Sequence, residues 1–141
     1  MSPLLTSKPS PGAIKALSAV VGVLALAVLV QAFTAGRFVG EPGKSYKGFV
    51  DAHKGVGDLV VLLAVVAVAV AFTMWRGKAG FQMVAGETVV LLVLTIIQFG
   101  VGQQVSKHPG LLTIHIPVAV LIFGVTTHLS TYVANLRRSA V

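Results

Sequence analysis

The sequence predicts an all-α integral membrane protein, an up-down-up-down four-helix bundle. Three observations predict it. The 141 residues are 55% hydrophobic and 11% charged, whereas about a quarter of a soluble domain is charged. The mean hydropathy is +0.90. Four apolar runs, each long enough to cross a hydrocarbon layer, are joined by short stretches rich in Gly, Pro and basic residues. Short connections make successive helices antiparallel neighbours.

The order of the chain supports each element. Residues 1–12 hold Pro3, Pro9 and Pro11 and read as a polar N-terminal tail. The first helix is expected from about Ala13 to Ala35. It reads as a retained span rather than a cleaved signal, because its apolar run is too long for a signal core and no small-residue cleavage site follows. Gly36 to Tyr46 reads as a loop. The second helix is expected from near Ser45 to near Trp75, with Trp75 as an interfacial anchor. A third runs from about Phe81 to Val105. A fourth runs from about Leu111 to Asn135, and the domain closes on a basic tail over 137–141. The transmembrane domain thus spans 13–136.

Charge and cysteine content bound the function. The formal net charge is +7, but the basic residues are scattered between apolar runs, which points to anionic headgroups or cofactor propionates and not to nucleic acid. There is no cysteine, so disulfides, iron–sulfur clusters and thiolate-held haem are excluded. With the N-terminus inside, six basic residues (Lys8, Lys15, Arg76, Lys78, Arg137, Arg138) lie inside and five (Arg37, Lys44, Lys47, Lys54, Lys107) outside. The positive-inside rule then puts both termini in the cytoplasm.

Chemistry concentrates in two histidines. His115 lies near the start of the fourth apolar segment and His53 near the start of the second. Helices two and four run the same way, so the two imidazoles come to similar heights. An imidazole at membrane depth needs a partner or a metal. One haem iron, with His53 and His115 as axial ligands, satisfies both. Residues at i+4 share the ligand's face, and these are Gly57 and Ala119, both small enough to leave room beside a flat ring. Gln31, Gln98 and a basic rim that includes Arg37 gather at the same end, where haem propionates would lie. A bare metal would need further ligands, for which only Asp51 and Asp58 are candidates. His108 precedes Pro109 in a loop and reads as exposed. His128 is about 20 Å along the helix from His115 and reads as a polar residue near the inner surface. Gln98, Gln103 and His108 could also serve a quinone.

The stretch Val89 to Gly124, with IHIPVA at Ile114 to Ala119, and DAHKGVG at Asp51 to Gly57, resemble the ligand helices of one four-helix half of the haem A synthase family. That resemblance implies a b-type haem held by His53 and His115 near the outward face of a bacterial plasma membrane. It also suggests that a homodimer could mimic the family's two halves. Phe49 stands where the family's catalytic half carries a glutamate, one turn before the ligand. The expected function is therefore electron relay by a small membrane cytochrome, with a quinone or redox subunits as partners, rather than haem synthesis. The alternatives are haem holding without electron transfer, or a non-catalytic accessory subunit of a larger membrane complex.

Overall fold

A computed structural model describes residues 7–39 and 46–138. They form four α-helices in chain order: α1 (Pro11–Val39), α2 (Lys47–Met74), α3 (Phe81–Gln104) and α4 (Leu112–Arg138). A single 3-10 turn, Pro109–Leu111, leads into α4. Among the described residues there is no strand, only one bridge between Ser7 and Lys78. Each helix, α4 with its leading turn, is long and apolar enough to cross a membrane, with mean hydropathy from 1.9 to 2.6 over its best window.

The helices pack in a ring: α1 on α2, α2 on α3, α3 on α4 and α4 on α1. Neither diagonal pair, α1/α3 or α2/α4, brings Cα atoms within 8 Å. Two apolar clusters fill the middle. One, at the end where α1 begins and α4 finishes, gathers Leu17, Val21, Ala71, Val84, Leu129 and Val133 around Trp75. The second gathers Leu24, Ala64, Leu91 and Ile122. The outer faces are also apolar, with Leu26, Phe33 and Val120 more than 60% exposed. Apolar residues both inside and outside are what a helix bundle in lipid requires.

The helix ends differ from the sequence expectation for local reasons. The first helix starts at Pro11, two residues early: Ser10 Oγ accepts the Ala13 amide at 3.1 Å and Pro11 sits where a missing N–H costs nothing. It continues to Val39, so Gly36, Arg37, Phe38 and Val39 are helical and not loop. The expected start of helix two at Ser45 lies outside the described residues. The last helix extends through Arg137 and Arg138, whose charges suit a helix C-terminus. Trp75 is not an interfacial anchor. It is fully buried, and its indole N–H donates to Ala13 O at 3.4 Å. The near-absence of side chain at Ala13 and Ala71 makes space for it.

Candidate functional site

At the end opposite the Trp75 cluster the apolar core gives way to polar side chains. Gln31 and Thr34 come from α1, His53 from α2, Gln98 from α3 and His115 from α4. The ring topology puts α2 and α4 on one diagonal, and the two histidines face each other across it. Their ring centroids are 6.4 Å apart and the ring planes are inclined by 57°.

The His53 ring is fixed by α1. Its Nδ1–H donates to Gln31 O (3.2 Å) and Thr34 Oγ1 (3.1 Å). Because a carbonyl only accepts, Nδ1 carries the proton and Nε2 keeps its lone pair. Gln31 returns a bond, its Nε2 donating to His53 O at 2.9 Å. Thr34, 4% exposed, donates its hydroxyl to Val30 O at 2.9 Å and so presents lone pairs to the imidazole. Phe38 closes the other side, its ring edge-on to His53 at 5.4 Å. An imidazole held by a backbone carbonyl at one nitrogen and open at the other is how ligating histidines are oriented.

His115 packs on α3. Gln98 Nε2 donates to its Nε2 at 3.1 Å. Its Nδ1 and Gln98 Oε1 are buried with no partner, as is Gln31 Oε1. Buried polar atoms without partners cost about 1–3 kcal/mol each, and three lie around one pair of imidazoles. Gly102 allows the approach of α4: a Cβ there would stand 3.0 Å from His115 Cε1.

The other expected site residues fall as follows. Gly57 is half-buried beside the site, but the space it leaves is taken by the Gln31 amide, since a Cβ there would lie 2.9 Å from Gln31 Nε2. Ala119 is half-buried one turn beyond His115. Arg37 is exposed and its guanidinium lies over Phe49, 5.3 Å from the ring centroid. Of the rest of the basic rim, Lys47 is tied to Asp51 at 3.0 Å, Lys54 and Lys107 are exposed, and Lys44 lies outside the described residues. Gln103, His108 and Asp58 are exposed. His128 does not stand alone: its Nδ1 is 2.6 Å from Glu87 Oε1 on α3.

The sequence offers Gly100 and Gly102 as places where a neighbouring helix could come close, and of the two only Gly102 meets one, the His115 ring. Thr34 carries no signal in the sequence, because a threonine in an apolar helix ordinarily bonds its own backbone.

What this arrangement can hold follows from its donors. An ion about 2 Å from each of two imidazole nitrogens on a straight line through it, with each ring centroid about 1.1 Å behind its nitrogen, sets the centroids about 6.2 Å apart. The observed separation is of that size. Among the described residues no group of three or more His, Cys, Asp or Glu gathers to hold an ion. A bare ion would therefore find two protein ligands. A haem would need only two ligands from the protein, which His53 and His115 would supply; the unpaired amide oxygens belong to Gln31 on α1 and Gln98 on α3. The spacing of His53 and His115 is one a bis-histidine haem would accept, and Gln98 would have to release His115 Nε2 for that nitrogen to ligate.

No family model, curated protein or solved structure matches the chain, and nothing links it to haem A synthase.

Proposed function

We propose that this chain is a small b-type cytochrome of the membrane that binds one haem b between His53 and His115 and relays single electrons. The observation that carries the reading is the 6.4 Å separation of the two imidazoles across the bundle, with the His53 ring oriented by Gln31 O and Thr34. Two imidazoles fill both axial positions of the iron, which favours electron transfer over oxygen binding. When bound, the haem supplies reversible one-electron chemistry. The chain's residues orient the ligands and keep water out: Thr34, Gln31 and Phe38 on the His53 side, and Gln98 and Gly102 on the His115 side. In this reading both termini face the cytoplasm of a bacterial cell, the haem lies toward the outer face, and the electron partners are a quinol or adjoining redox subunits. A pairing of two copies is compatible with it. Without a catalytic acid at Phe49, the reading is of an electron carrier and not of a haem A synthase.

Absorbance of the purified protein tests it. A Soret band and reduced-minus-oxidised bands are expected, and each is expected to be lost in both His53→Ala and His115→Ala. A protein without a Soret band, or a band that survives both substitutions, sinks the proposal.

One observation favours a second reading. Gln98 already uses His115 Nε2, as an interhelical tie would. A non-catalytic subunit that packs against a larger membrane complex would need no more from these histidines. Co-purification at fixed stoichiometry without a chromophore would select it.

A further inference from the structure

An open groove of about 570 Å³ lies along α1 beside the last turn of α4. Its mouth is formed by Lys15 and Arg137, which are 122 positions apart in sequence and brought together by the packing of the first helix on the last. Its other lining residues, Ser18, Ala19, Gly22, Val23 and Leu26, all belong to α1. Lys15, Ala19, Gly22 and Leu26 fall at intervals of four, three and four, so they share one face of α1. The lining therefore follows one face of α1 from Lys15 to Leu26, with Arg137 contributed by α4. Gly22 keeps it open, since a Cβ at that position would meet nothing within 4 Å. Neither cation has an acidic partner among the described residues, and no acid lines the groove.

This polarity belongs to one class of molecule. A free anion would use the mouth and leave the apolar channel empty. A zwitterionic lipid would fill the channel but place its own cation against Lys15 and Arg137. A lipid with an unbalanced negative headgroup satisfies both parts, because basic pockets at the edges of transmembrane helices attract anionic headgroups and grooves of about 300–1,000 Å³ suit single small ligands. We propose that the α1/α4 groove is a binding site for one anionic phospholipid, with Lys15 and Arg137 holding its phosphodiester and the Ser18–Gly22 stretch of α1 receiving an acyl chain. The inference is independent of what His53 and His115 hold.

The test uses the full chain in nanodiscs of equal phosphatidylglycerol and phosphatidylcholine, released for native mass spectrometry. Wild type is expected to retain one phosphatidylglycerol per chain about tenfold more often than phosphatidylcholine. The exposed pair Lys15→Gln and Arg137→Gln together is expected to erase that preference. At the opposite end, Lys54→Gln with Lys107→Gln is expected to leave it intact. Gly22→Leu fills the groove without touching either cation, and is expected to lower phosphatidylglycerol retention several-fold. Helicity by circular dichroism checks that each variant folds. Equal retention of the two lipids, equal loss in the Lys54/Lys107 control, or retention unchanged in Gly22→Leu overturns the proposal. So does full displacement of the lipid by inorganic phosphate at matched headgroup concentration, which would make the site one for a free anion.

Discussion

His53 sits in a cradle whose parts can be removed singly. Thr34→Val keeps the shape of the side chain but removes one of the two acceptors of the His53 Nδ1–H. Gln31 O remains, so the loss is expected to be about 1 kcal/mol of stability, read by thermal unfolding in detergent. An imidazole whose N–H is bonded is the more basic ligand and stabilises ferric over ferrous iron. If His53 holds the proposed haem, Thr34→Val is therefore also expected to raise its midpoint potential, and a lowered potential in a redox titration would contradict an Nδ1–H tautomer at His53. On the opposite side, two glycines of α3 form an internal control. A Cβ at Gly102 would press on His115 Cε1 at 3.0 Å, while one at Gly100 meets nothing within 4 Å. With the proposed haem in place, Gly102→Ala is expected to shift or weaken its spectrum, while Gly100→Ala leaves it unchanged and adds up to about 1 kcal/mol of helix stability. Equal spectra in the two variants would mean that the His115 ring is not held against α3. The sequence could supply the heights of His53 and His115, because rise along a helix is linear in residue number. It could not supply which way each ring turns, since that depends on what Thr34, Gln98 and Gly102 meet once the neighbouring helix is in place.

At the scale of the helices, the four spans were legible because apolar runs of such length have few other uses; their ends and their buried faces were not. Gly36 and Arg37 look like the start of a loop, yet α1 carries them on to Val39, since no residue between 36 and 39 is a proline and the helix needs no other permission to continue. Trp75, after an apolar run and before Arg76, has the pattern of an interfacial anchor. Its burial against Ala13, Leu17 and Val84 is decided by small residues on other helices. Because it is the only tryptophan, its fluorescence reports its place directly: a blue-shifted emission, quenched weakly by aqueous acrylamide and weakly by brominated lipid, is expected, while an interfacial indole would respond to both. Removing it in Trp75→Ala is expected to cost about 3–5 kcal/mol. The turn that follows is fixed by Gly80, at φ +76, where a Cβ would collide with the Tyr132 hydroxyl. Gly80→Ala is accordingly expected to destabilise this end of the bundle in the same unfolding measurement, through both backbone strain and the displaced tyrosine.

The whole molecule is polar in its construction. One end is closed by the Trp75 cluster and tied by the N-terminal segment, where Ser7 O accepts the Ala79 amide at 3.0 Å and Lys78 Nζ donates to Ser7 Oγ at 3.1 Å. The other end exchanges apolar packing for two histidines and unpaired amide oxygens. Such an asymmetric molecule works in a membrane only if it is inserted one way, and basic residues divide six to five between its ends, which is a narrow margin for the positive-inside rule. Even-numbered crossings nevertheless fix one relation whatever the orientation: Lys8 and Arg138 share a side, and Lys107 faces the other. The absence of native cysteine makes this measurable without further engineering. Lys8→Cys and Arg138→Cys are expected to react with an impermeant maleimide only after the membrane is opened, and Lys107→Cys in intact cells. The reverse pattern would keep the bundle but put the histidine end inside, and the proposed electron carrier would then need a cytoplasmic donor. Labelling of Lys8→Cys and Lys107→Cys from one side would instead break the four-span topology itself, because α1 and α3 would no longer cross in the same direction, and the facing of His53 and His115 would go with it.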